Sequence, residues 1–320
     1  MATLLFKDHP STQWRTGRDF PQIPLTAVAW DAEPDTPIAY VFFGHVNIDF
    51  DGSPTAYGPA GIAPVPDDDL ANAWSEGNGW FGVLALKEDD PLVTQGKAVI
   101  DKQSALLHKG KYPVLQQAAN GDPKPGYYVS TTPHPSGPSH LQNSYVDSSQ
   151  ISYGALSGQL ASLGFKIGDY GLALRHDKKL QSGFYFVDRG GSASFGVGEC
   201  SHKVGKNLGG SGRGNRFNNN FPVSFIVFPD TFTIDRSTGT PSMPDDEIKT
   251  EVELLLAEVA KATNAEELAL LMAFNEIAPP GKPRGTAKLD AYRNAPDGTP
   301  KPANYAHVVD GLANYGFIFP

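Results

Sequence analysis

The stretch from Phe184 to Ser201 reads FYFVDRGGSASFGVGECS. An aromatic and β-branched run, Phe184 to Val187, ends on Asp188. Small residues from Gly190 to Ser194 turn the chain, and a second apolar run ends on Glu199. Such runs separated by Gly and Ser predict two strands joined by a loop. Side chains alternate faces along a strand, so Asp188 is expected beside Phe186 and Phe184, and Glu199 beside Val197 and Phe195. A carboxylate closing an apolar face sits where core meets solvent. That setting can raise the pKa of one acid and leave another ionised. Two carboxylates so held are the minimum equipment for cleaving a glycosidic bond. The same pattern also describes a hairpin with two solvated, idle acids at its rim.

Outward from this stretch the chain reads as short strands and loops. Strand candidates are Ile38 to Phe43, Trp80 to Leu86, Tyr112 to Gln116, Tyr127 to Thr132, Gly168 to Leu174 and Val223 to Phe228. Tyr145 to Asp147 and Ile151 to Tyr153 are shorter pieces. The first 36 residues are punctuated by Pro. Asn47-Ile48-Asp49-Phe50-Asp51-Gly52 ends in an Asp-Gly turn signal, since Gly tolerates positive φ. Tyr57 to Asp69 and Leu208 to Asn220 read as loops, and Leu70 to Trp74 as a helical turn. The character changes near Pro241. Acids at Asp245, Asp246 and Glu247 suit a helix N-terminus. Val252, Leu255, Leu256 and Val259 then recur at helical spacing. Further helices are expected at Glu266 to Glu276 and Asn304 to Leu312. The predicted class is α+β, mainly β: a barrel-like β body over residues 1–240 and a helical extension over 241–320 packed on it.

With 34 Gly and 27 Pro among 320 residues, turns and short strands are favoured over long helices. A formal charge of −9 argues against a nucleic-acid partner, whose binding rests on cationic side chains. The single cysteine, Cys200, excludes an internal disulfide framework and reads as a small buried hydrophobe. No apolar run approaches a membrane span. The N-terminal residues lack a signal-peptide layout, so the chain is expected in the cytoplasm as synthesised. Export by a route that reads no signal peptide stays open.

No metal or cofactor is expected. Asp188 to Glu199 has the length of an EF-hand loop, but Ala193 stands where the turn needs Gly, and the inner acidic ligands are missing. Asn47 to Gly52 offers only two carboxylates. The histidines show no paired zinc spacing, Gly205-Lys206-Asn207 is not a phosphate loop, and no Gly-x-Ser-x-Gly elbow lies between a strand and a helix. Trp74, Trp80, Tyr57, Tyr127 and Tyr128 could stack on sugar rings or pack in the core.

Several of these motifs, taken in order, resemble glycoside hydrolase family 75, the chitosanase family best known from fungi. They are Ile48 to Gly52 continuing through Ala56 to Pro59, Leu70 to Ala73 with Gly79 to Gly82, and Pro125 to Thr132. Tyr145-Val146-Asp147, Gly168-Asp169, Val187-Asp188 and Gly198-Glu199-x-Ser201 follow. The similarity covers roughly residues 45–210 and is that of a bacterial-type relative. It implies an inverting endo-hydrolase of β-1,4-linked glucosamine polymers, with Asp188 and Glu199 as the catalytic pair. Glu199 is expected as acid and Asp188 as base, with Glu199 the more buried. Asp49, Asp51, Tyr57, Trp80, Tyr128 and Ser201 are expected to contact substrate. The fungal enzymes are secreted and carry cysteines, whereas this chain has neither a signal peptide nor paired cysteines. Two other readings are a bacterial cell-wall glycan hydrolase acting as an antibacterial effector, and a carbohydrate-binding protein without activity.

Overall fold

Leu172, Leu174 and Ile226 fall in one buried cluster, and Ala173, Phe225 and Val227 in another. Alternation of this kind, apolar on both sides, marks strands covered on both faces. The computed structural model describes residues 4–9, 25–30, 32–44, 46–75, 79–104, 109–175, 178, 180–190, 198–212, 223–232, 234 and 238–261. Within these, the chain is mixed α/β and mainly β.

In chain order the first strands are β1 (Leu4–His9), β2 (Leu25–Trp30), β3 (Glu33–Gly44) and β4 (Asn47–Asp49). A 3-10 turn (Leu70–Ala73) leads into a ribbon of β5 (Trp74–Ser75) and β6 (Gly79–Trp80). A small sheet follows, made of β7 (Ala85–Leu86), β8 (Val99–Ile100) and β9 (Tyr112–Leu115), with α1 (Pro91–Thr94) between its first two strands. Then come β10 (Tyr153–Ala155), α2 (Gly158–Ser162), β11 (Tyr170–Arg175), β12 (Leu180–Asp188), β13 (Glu199–Ser201), α3 (His202–Asn207), β14 (Val223–Val227) and α4 (Asp245–Lys261).

Nine strands form the main sheet in the order β1-β2-β3-β14-β11-β12-β10-β13-β4. Among the described residues no pairing joins β1 to β4, so the sheet has two edges. Its left half is antiparallel throughout. On the right, β10 runs parallel to β12, and β13 parallel to β4. One face carries Tyr153, Tyr170, Tyr185 and Val187, and α4 closes it with Ile248 and Val252. The other carries Phe184, Phe186, Phe225 and Cys200, closed by Leu160 of α2 and Val204 of α3. Asp245, Asp246 and Glu247 occupy the first turn of α4 as expected. The helices expected at 266–276 and 304–312 lie outside the described residues.

The hairpin expected over 184–199 is not what forms. Glu199 begins β13 rather than ending a strand, and β13 pairs with β10 and β4, not with β12. Ile151 to Tyr153, read as a minor piece, leads into the strand that separates them. Gly154 allows this insertion: a Cβ there would lie 2.9 Å from the Phe184 ring and 3.2 Å from that of Phe186. Val197 and Phe195 lie outside the described residues. Tyr127 to Thr132 forms only isolated bridges, through Tyr128 and Ser130. α3 was not expected. Its signal is the Ser201 N-cap, whose Oγ accepts from Val204 N at 3.3 Å.

Candidate active site

The right side of the sheet gathers the acids. β10 and β12 pair Gly154 with Phe186 but Ala155 with Asp188, so Val187 is an extra residue. Such a bulge re-aims the side chains that follow it. Strict alternation would set Asp188 with Phe184 and Phe186; the bulge instead brings it opposite Ala155, on the Tyr153 side of the sheet. From the antiparallel pair Gly154–Cys200, Glu199 falls on the other flank of Ala155. Asp188 and Glu199 therefore stand two strand spacings apart, about 9.5 Å between backbones. They are not nearest cross-strand neighbours. Asp49 stands on β4 two residues along from that row, where it pairs with Ser201.

Local hydrogen bonds fix the Asp49–Gly52 turn. Asp51 N donates to Asp49 Oδ1 at 2.8 Å, and the Tyr153 hydroxyl donates to the Asp51 carbonyl at 2.7 Å. Gly52 has φ +76°, and a Cβ there would overlap the Val146 carbonyl. The buried Gln142 amide donates to the Gly52 carbonyl at 2.8 Å and to the Ser130 carbonyl at 3.1 Å. Ser130 returns the contact, with its N–H on Gln142 Oε1 at 2.8 Å and its Oγ accepting from Gly52 N at 2.9 Å. The Asp51 carboxylate lies flat on Gly82, where a Cβ would come within 2.5 Å of Oδ1, and accepts the Tyr57 hydroxyl at 2.7 Å. Glu199 Oε2 rests similarly on Gly190.

Burial and mutual repulsion keep these carboxyls from all ionising together. Burial first, then the charges of Asp49 and Asp68, push Glu199 up to about 8. Asp188 is raised well above the carboxylate range by burial and then by Asp49 and Asp51, although Arg189 N–H donates to it at 2.6 Å. Asp51 is raised by burial and Asp49 against the pull of Tyr57. Asp49 is also raised by burial, but only to about 6, because the Asp51 N–H, the Asp188 carboxyl and the Tyr153 hydroxyl favour its charged form. The charge of the cluster thus settles first on Asp49. The expectation that Glu199 is the more deeply buried of the pair is corrected: Asp188 is 7% exposed, whereas Glu199 is half-buried. Both residues stand at strand ends, Asp188 closing β12 and Glu199 opening β13, and Asp188 is the one packed against the Asp49 and Asp51 carboxyls.

Asp49, Asp51 and Asp188 each present a carboxylate oxygen within 4.8 Å of the others. A hard cation takes such oxygens, and so do shared protons. Asp49 Oδ1 accepts the Asp51 N–H and Asp51 Oδ1 the Tyr57 hydroxyl, and Asp188 supplies the third carboxylate that Asn47 to Gly52 lacks.

The other expected contact residues divide. Tyr57 is buried and acts through its hydroxyl on Asp51. Trp80 is half-buried beside Phe50, Ala73 and Val83. Tyr128 is 1% exposed and gives its hydroxyl to Asp101 at 2.6 Å. Ser201 is fully buried, and its Oγ accepts from Tyr153 N, donates to Ile151 O and caps α3. These last two hold the frame. Tyr153, Asp68 and Gln142 carry site geometry that the sequence does not mark, since their roles arise from long-range register. Compared with known proteins, the chain matches no family model and no curated protein sequence.

Proposed function

We propose that the protein is an endo-acting glycoside hydrolase that cleaves a β-1,4-linked glucosamine polymer with inversion. The observation that carries this reading is the row Asp188–Ala155–Glu199, which sets the two residues on one face with their backbones two strand spacings apart. An inverting pair needs roughly 6.5–9.5 Å between carboxyls so that a water fits beside the sugar. Glu199, with a pKa near 8, is protonated at neutral pH and gives its proton to the leaving oxygen. Asp188 takes the proton of the attacking water as one member of a pair with Asp49, the acid that keeps its charge most readily. The charge that Asp49 keeps suits a cationic glycan, so association weakens with salt.

The test is release of reducing ends from chitosan and from peptidoglycan, with the anomer of the first product read by NMR. Cleavage of chitosan to the inverted anomer is expected. Near-wild-type cleavage by folded Glu199→Gln and Asp188→Asn variants would overturn the mechanism. Cleavage of wall glycan alone would transfer it to that substrate. Binding without cleavage by the wild type would leave the carbohydrate-binding reading.

A further inference from the structure

The Tyr57 hydroxyl lies between two carboxylates, donating to Asp51 Oδ1 at 2.7 Å and reaching Asp68 Oδ2 at 3.4 Å. The two acids face different spaces. Asp51 belongs to the carboxylate cluster, with an oxygen within 4.8 Å of one on Asp188 and one on Asp49. Asp68 lines an open groove of about 1120 Å³, whose wall also includes Asp67, Asp69, Asp101, Ser104 and Tyr128. Its Oδ1 is occupied by Asp69 N at 2.8 Å and Asn72 Nδ2 at 2.7 Å, which fixes the carboxyl and leaves Oδ2 toward Tyr57. The Tyr57 ring is buried between cluster and groove.

We propose that Asp51, Tyr57 and Asp68 form a proton port that connects the carboxylate cluster to solvent in the groove that Asp68 lines. The inference rests on the hydrolytic reading above. In each inverting turnover, water leaves one proton on the Asp188–Asp49 pair as its oxygen bonds to the anomeric carbon. Glu199 gives one proton to the departing oxygen. The next cycle requires the first proton to leave and the second to be replaced. Glu199 is partly exposed and refills from solvent once the product departs. Asp188 is buried, its neighbour Asp51 opens to solvent only in part, and a polymer lying across the row would close that direct way out.

The port moves the proton without charging the ring. The Tyr57 hydroxyl turns its hydrogen toward Asp68. Oη then accepts the proton arriving on Asp51 while its own hydrogen passes to Asp68 Oδ2, and Asp68 releases it to water in the groove. The hydroxyl is left donating to Asp51, which is the arrangement observed. Tyr57 and Asp68 touch neither water nucleophile nor sugar in this scheme; they act through the pair.

The experiment uses Tyr57→Phe and Asp68→Asn in the full chain. Asn keeps an oxygen for Asp69 N and Asn72 but cannot take the proton. In dilute buffer, kcat on chitosan oligomers is expected to fall about tenfold with KM unchanged, the signature of a step outside substrate binding. Raising the concentration of a small carrier such as imidazole at fixed pH should restore kcat in both variants and leave the wild type unchanged. A loss that no carrier restores, or an unchanged kcat, would overturn the port. A second readout is independent of turnover: solvent exchange of the Tyr57 hydroxyl proton by NMR is expected to slow severalfold in Asp68→Asn. Unchanged exchange would also overturn it. If the wild type cleaves neither chitosan nor wall glycan, the hydrolytic reading falls, and the exchange measurement still decides whether the port exists.

Discussion

The two sides of the main sheet follow different rules. In β3, β14, β11 and β12 every pair is antiparallel, and the registers β14–β3, β11–β14 and β11–β12 run without a slip. Phe42 stacks on Phe225 at 4.8 Å, and Phe184 meets Phe225 edge-on. From β12 through β10 and β13 to β4 the strands shrink to three residues, parallel pairs appear, and a bulge interrupts the register. Regular pairing sends apolar side chains alternately into two cores. Broken pairing lets Asp49, Asp188 and Glu199 collect on one side. The first region supplies stability and the second holds charge at its expense.

The strongest way to break this division is to compare substitutions on its two sides. Glu199→Gln and Asp188→Asn should lower activity by about two to four orders of magnitude while the melting temperature holds or rises. Phe184→Ala should instead cost about 3–5 kcal/mol of stability, measured by denaturant unfolding, since its ring is fully buried against Gly154 and Gly171. Loss of stability in the acid variants, or its retention in Phe184→Ala, would erase the distinction between the two sides.

Next in size is the effect of losing Gln142. Gln142→Leu strands the Gly52 and Ser130 carbonyls, at about 1–3 kcal/mol for a buried unsatisfied group. Because Gly52 follows Asp51, activity should fall further than the melting temperature alone explains. An equal loss in both would make Gln142 merely structural.

The pH dependence sharpens the comparison. Glu199 is raised from an unfolded value of about 4.3 to about 8 in the fold. The folded state therefore binds this proton more tightly. That contribution is complete below about pH 4 and drains away as the pH rises toward 8. Glu199→Gln should flatten this decline and raise the melting temperature at pH 8, by about 2–4 °C for each kcal/mol relieved. The wild-type rate should be bell-shaped, rising as Asp49 ionises near 6 and falling as Glu199 deprotonates near 8. A flat stability profile would mean that the cluster is solvated. The smallest effect is expected at Lys249–Glu253, a surface pair on α4 at 3.7 Å. Lys249→Ala should change stability by less than about 0.5 kcal/mol.

What the sequence discloses follows the same line. Gly168 to Leu174, Val223 to Phe228 and the acidic start of α4 are legible because alternation, helical spacing and capping are local. The acids themselves are legible as types at strand ends. β10 is not: Tyr153-Gly154-Ala155 is too short to show a period, and its place between β12 and β13 is set by partners far along the chain. The bulge at Val187 is equally silent, since it exists only against Ala155. Tyr153 and Gln142 enter the site through such non-local pairings, so nothing in their own neighbourhoods announces them. β1 and β2 lie in a segment that reads only as punctuated by Pro, and β2 joins the sheet through β3.

β4 ends the sheet among the described residues, and an edge strand ordinarily invites another chain to add to it. This edge spans only Asn47–Asp49, and the chain then turns away through Asp51 and Gly52. A foreign strand docking there would find three residues of template and would have to bring its backbone up against Asp49 and the charge it holds. The acids gathered at this edge thus also guard against edge-to-edge aggregation, and a variant that neutralises them would lose that protection together with its chemistry.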